Sequence, residues 1–155
     1  MNRFIAFVFL LLVSFVSVAQ NIKKSPITKE TEQRIIYKSY WGPFQSGNSL
    51  VAQVSAAAPA PILVKDSAGV SYPVVSFRIN YMFKSSYRDE QTQELKFIND
   101  LRVGDFYETA NLSAVWIESI KDNVKAGDQI LFNMIIFKNK AGKMQLAPEL
   151  KIMVK

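Results

Sequence analysis

Enzymes need side chains that move protons, carry charge into a transition state or attack a bond, and this 155-residue sequence is thinly supplied with them. It has no Cys and no His. That removes the usual Ser–His and Cys–His nucleophile pairs and nearly excludes a zinc site of ordinary type. Carboxylates, hydroxyls and amines remain. Asp100 with Asp105, or Glu90 with Glu94, can be read as paired acids for glycoside hydrolysis. Such pairs also arise by chance in a chain with 13 acidic residues. A Ser–Lys arrangement is compatible with the composition, yet no Ser stands in a recognisable nucleophile context. There is no Gly-rich phosphate loop, no Walker-type motif and no calcium loop. The sequence therefore assigns no catalytic, cofactor-binding or metal-ligating residue, and it predicts a chain that works by contact.

The compartment follows from the first segment. Residues 1–19 carry Arg3, an apolar run broken by Ser14, and the small residues Ser17 and Ala19 before Gln20. This is the pattern of a cleaved signal peptide, and the run is shorter than the ~20 apolar residues of a spanning helix. The absence of Cys removes the acylated cysteine of a lipoprotein. The expectation is a periplasmic or secreted protein with no membrane span after cleavage. The formal net charge is +6, but Lys and Arg are spread along the chain. A nucleic-acid stripe would cluster them with aromatics between, so nucleic acid is not an expected partner. Residues 20–33 are polar and read as a flexible arm, leaving residues 34–155 as a single β-rich domain.

Within that domain the elements are short and turn-bounded. Residues 34–41 read as a strand with Ile35, Tyr37 and Trp41 on one face, ended by Gly42-Pro43. A second strand is predicted at residues 50–54 and a stiff extended connection at residues 56–61, where Pro59 and Pro61 disfavour helix. Residues 62–66 form a third strand. The turn after it contains Asp66-Ser67-Ala68, similar to the Asp-Ser/Thr-aliphatic acceptor of Bacteroidetes O-glycosylation, which makes Ser67 a candidate glycosylation site beside the plain turn. Residues 70–84 alternate almost strictly, with Val75, Phe77, Ile79, Tyr81 and Phe83 on one face, the mark of a half-buried antiparallel strand. Residues 85–93 read as a polar loop carrying Tyr87 and Arg88, which with Trp41 are the candidate partner contacts. A short strand is predicted at residues 95–98, then turns through Asn99-Asp100 and Gly104-Asp105.

The last third has the clearest order. Leu112, Val115, Trp116 and Ile120 recur at helical spacing, capped by Thr109 or Asn111, and Trp116 reads as core rather than as an exposed anchor. Asn123 suits a left-handed helix end. Lys125-Ala126-Gly127-Asp128 reverses the chain into an apolar strand at residues 130–137, expected to be buried partly on both faces. A Gly-containing hairpin at residues 139–143 leads to a final strand whose Leu150, Ile152 and Val154 share a face. The helix, the Lys-x-Gly-Asp turn, the Ile-x-Phe strand Ile130-Leu131-Phe132, the hairpin and the alternating last strand together resemble the C-terminal domain of the GldM family. These are gliding-motility and type IX secretion proteins of Bacteroidetes. The likeness covers roughly half of the expected mature chain; the transmembrane helix and tandem periplasmic domains of that family are not part of it. It implies an accessory of the secretion or gliding machinery and brings no catalytic residues.

The fold class expected is mainly β, an immunoglobulin-like β-sandwich with one helix in the C-terminal half. The function expected is a non-catalytic envelope module that docks onto an envelope protein by edge strands and loop aromatics. Two other readings stand beside it: a small carboxylate-dependent hydrolase, and a carbohydrate-binding module with Tyr40, Trp41 and Tyr87 as a stacking platform.

Overall fold

The computed structural model describes residues 35–155, so the predicted leader at 1–19, the arm at 20–33 and Arg34 lie outside the described residues. Two sheets face each other in a mainly β, sandwich-like arrangement. The smaller sheet is β1 (Tyr37–Trp41), β3 (Ile62–Asp66) and β4 (Ser71–Tyr72), antiparallel throughout. The larger sheet takes β2 (Gly47–Ser49), β9 (Leu150–Val154), β7 (Gln129–Lys138), β5 (Val74–Arg88) and β6 (Leu95–Tyr107) in that spatial order, with β8 (Met144–Leu146) on β7. Among the described strands only β2 and β9 run parallel.

Aromatic rings bridge the two sheets. Trp41 of β1 meets Phe132 of β7 at 5.0 Å between centroids. Tyr37 and Tyr72 close on Phe137 at 4.7 and 5.6 Å. Trp41, Phe132, Ile130, Ile152 and Leu150 are fully buried, so this apolar layer supplies most of the driving force for the fold.

Several predicted elements change in the structure. The stretch expected as a second strand, with the start of the extended connection, is the helix α1 (Val51–Ala57). Alanine is the best helix former, and the Gln53 side chain accepts the Leu50 N–H at 3.0 Å to open the first turn. Val54, Ala57 and Ala58 are buried, and Pro59 and Pro61 follow the helix rather than prevent it. The apolar run of β7 is buried on one face and half-buried at Leu131 and Ile136 on the other, with an irregularity at Met134. Ile130 and Phe132 point into the core, then Met134 takes a left-handed φ of 48° and is exposed, and Ile135 and Phe137 point inward. The register to β5 shifts between Asn133 and Ile136, so a β-bulge flips the parity of the strand.

The second helix, α2 (Ala114–Asn123), begins later than expected. Thr109 and Asn111 lie upstream, Ser113 holds the cap position without a side-chain bond, and Leu112 is buried before the helix starts. Ile120 is buried and Trp116 and Ile117 are partly so, but Val115 is 72% exposed and leaves the predicted stripe. The chain leaves α2 through extended Val124 rather than a left-handed Asn123. The left-handed residue of the following turn is Gly127, φ 95°. Buried Asp128 holds that turn, its Oδ2 accepting from the Lys125 N–H at 2.9 Å and from the Tyr81 hydroxyl at 2.7 Å.

Candidate binding surface

The longest strands of the molecule are β5 and β6, paired without a break from Ser76 with Tyr107 to Arg88 with Leu95. The loop predicted at residues 85–93 is therefore strand over Ser85–Arg88 and turn beyond it, and the turns predicted at Asn99-Asp100 and Gly104-Asp105 are strand. The true turn spans Asp89 to Glu94. Asp89 Oδ1 accepts the backbone N–H of Gln91 and Thr92, each at 3.0 Å, and Lys96 pairs with its other oxygen. The Lys96 ammonium, with those backbone donors, holds the Asp89 carboxyl below the usual carboxylate range.

Strand β7 pairs with β5 only from Val74 to Met82. Beyond Met82 the hairpin continues as a two-stranded arm, an arrangement marginal on its own in water. Arm and edge carry apolar side chains into solvent. Phe97 is 69% exposed, Tyr107 73%, Leu101 56%, and Leu95, Ile98, Val103 and Tyr87 are also exposed. Cross-strand partners divide β6 into two faces. Arg102 lies opposite buried Tyr81 and Gly104 opposite buried Ile79, so even-numbered residues share the core side. Leu95, Phe97, Leu101, Val103 and Tyr107 share the outer side. On that outer side Arg78 bridges β5 to Asp105 through two bonds of 2.7 and 3.0 Å. The guanidinium keeps the Asp105 carboxyl below its ordinary value.

Helix α2 covers only the proximal part of β6. The Trp116 indole sits directly over Gly104, where an added Cβ would come 2.7 Å from Cζ2. Trp116 also meets Phe106 edge-on, and Arg102 lies over the indole at 5.7 Å while donating to Ser119 Oγ. Between α2 and the root of the arm is a cleft of about 340 Å³, lined by Tyr81, Phe83, Lys84, Arg102, Ser119 and Lys125 among others. Among the described residues no carboxylate lines it. Burial and the bond to Asp128 push the Tyr81 hydroxyl far above the usual phenol range, so the floor of the cleft stays neutral.

The other candidate residues are scattered. Trp41 is 0% exposed and packs on Phe132, which withdraws it as a partner contact. With Trp41 in the core, Tyr40 on β1 and Tyr87 on the distant arm do not form a stacking platform. Tyr87 and Arg88 are exposed at the end of β5, on the arm rather than in a loop. Asp100 and Asp105 occupy opposite faces of β6, and Glu90 and Glu94 belong to the exposed turn, so neither pair converges. Among the described residues no group of His, Cys, Asp and Glu is placed to hold a metal ion. Ser67 is exposed, on a turn pinned by Asp66. Asp66 Oδ1 accepts from Ala68 N and Val70 N, and Oδ2 from the Tyr72 hydroxyl at 2.7 Å. That last bond pushes the Tyr72 phenol up to about 12.

Strand β6 was hidden by Asn99-Asp100 and Gly104-Asp105, which mimic turns. The period-two recurrence of Leu95, Phe97, Leu101, Val103 and Tyr107 is the signal that marks it. No family model matches the chain, and no curated protein matches it. Among the described residues no helix is long and apolar enough to cross a membrane.

Proposed function

We propose that this protein is a non-catalytic binding module of the cell envelope, periplasmic or secreted, that serves type IX secretion or gliding by docking through its β5–β6 hairpin. One observation carries the docking role: β6 is the terminal strand of its sheet among the described residues and bears exposed apolar side chains along its length. Unpaired strand edges are templates for added strands, and exposed apolar stripes mark interaction surfaces. The leader pattern at residues 1–19 and the GldM likeness support the setting.

The test is capture from envelope extracts by the native protein and by a Val103→Pro variant. Proline removes an outward-facing donor at the edge while sparing the ladder to β5. The expected result is recovery of an envelope assembly by the native chain and its loss with the variant, together with impaired secretion or gliding in a deletion strain. Equal recovery by both, or wild-type secretion and motility after deletion, contradicts the reading.

A further inference from the structure

We propose that β6 pairs antiparallel with β6 of a second copy of the chain, fusing two sheets into one across a two-fold axis at Leu101. This rests on the docking role of the β6 edge given above and names its occupant. The backbone shows which groups point away from β5. The Asp89 N–H donates to the Glu94 carbonyl at 2.9 Å, so even-numbered residues of this strand aim their backbone at β5. Independently, the Leu101 N–H donates not to β5 but to the carboxylate of its neighbour Asp100, at 3.0 Å. Odd-numbered residues from Leu95 to Tyr107 thus turn N–H and C=O outward.

An antiparallel ladder joins residues whose backbone groups face each other, and two-fold symmetry then centres it on one residue. Leu101 is the midpoint of Leu95–Tyr107, so centring there overlaps the strands from end to end. That same register sets Asp100 opposite Arg102 of the second copy, and Arg102 opposite its Asp100. These are non-hydrogen-bonded positions, where Cα atoms approach to about 4.5 Å and opposite charges stabilise the pairing. Shifting the centre by one residue brings Asp100 against Asp100 or Arg102 against Arg102. A centre at Asn99 brings Lys96 against Arg102. Full overlap and charge complementarity therefore select one register.

Leu95, Leu101, Tyr107 and Ile98 agree with it. On the outer face Leu101 meets Leu101 and Leu95 meets Tyr107, all exposed in the single chain. On the other face Ile98, also exposed, comes opposite Gly104, the residue lying beneath Trp116. The charges on the even-numbered positions deter unlike strands, as edge charges do, while in this register Asp100 exchanges its bond to the Leu101 N–H, and Arg102 its bond to Ser119 Oγ, for each other across the axis.

The sequence has no cysteine, so single cysteines report the register cleanly. The protein is purified as the producing cell processes it, and its mass is measured by sedimentation. The expected mass is that of two chains. Leu101→Cys is expected to give a disulfide-linked dimer on mild oxidation, Asn99→Cys alone none, and Asn99→Cys with Val103→Cys a linked dimer again. D100R and R102D are each expected to weaken dimerisation about tenfold or more, and the double exchange D100R/R102D to restore it, with circular dichroism confirming the fold of each. A single-chain mass at about 100 µM, no link through position 101, or a double exchange that stays monomeric overturns the proposal. A monomer that still captures an envelope partner through β6 overturns the second copy and leaves the docking role standing. Edge amides protected in the whole chain but not after removal of residues 20–33 give the edge to the chain's own arm and overturn the dimer.

Discussion

The two halves of the large sheet are built from similar residues and treat them in opposite ways. In the half formed by β7 and β9, against the smaller sheet, Ile130, Phe132, Phe137, Leu150 and Ile152 are all fully buried. In the half formed by the distal β5 and by β6, Leu95, Phe97, Leu101, Val103 and Tyr107 stand in solvent. Apolar content does not separate the halves. What separates them is the face of the sheet: the buried set points at the smaller sheet, whereas the β6 set lies on the outer side, away from the face where α2 packs over Gly104 and Phe106. A side chain held in water without a folding reason is where a contact function is to be sought.

Mutation should expose this contrast directly. Phe132→Ala empties a site between Trp41 and Phe77 and is expected to cost about 3–5 kcal/mol, read as a lowered denaturant midpoint. Asp128→Ala strands the buried Tyr81 hydroxyl and the Lys125 N–H, and a loss of about 1–3 kcal/mol is expected in the same assay. Gly104→Ala pushes a methyl into the Trp116 ring and should cost about 1–3 kcal/mol, marking the one part of β6 that is packed. Phe97→Ala, by contrast, should change stability by no more than about 0.5 kcal/mol while removing docking. A large destabilisation by Phe97→Ala would erase the distinction between the halves.

The smallest expected effect is on pH. Asp66, Asp89 and Asp105 all titrate below their ordinary 3.8 in the folded chain. The stability they add is complete above that value and is lost as the pH falls through their lowered folded values. The melting temperature should hold down to about pH 4 and fall below it. Tyr72 acts at the other end, its contribution complete below 10.0 and lost as the pH rises towards about 12.

The legible parts of the sequence were those where one local rule sufficed. The alternation through Phe77, Ile79 and Tyr81 and the face formed by Leu150, Ile152 and Val154 describe real buried faces. The rest depended on partners distant in the chain. Val51–Ala57 is only 7 residues long, too short for periodicity to tell helix from strand. The bulge at Met134 breaks the parity that a continuous apolar run conceals. Asn99-Asp100 and Gly104-Asp105 are strand because β5 offers each a partner, and Gly104 is needed because Trp116 lies over it. Trp41, at the end of the predicted first strand, reads as a candidate partner contact until Phe132 closes on it. The candidate surface was partly visible in Tyr87 and Arg88, while the edge strand beside them was not.

Amide hydrogen exchange along β6 tests the central claim most directly. In the dilute, unassembled protein the outward amides of Leu101 and Val103 are expected to exchange fast and those of Arg102 and Gly104 slowly. In the assembled state the outward amides should become as protected as their neighbours. Leu101 and Val103 amides that exchange equally fast in both states would show that nothing docks on this edge.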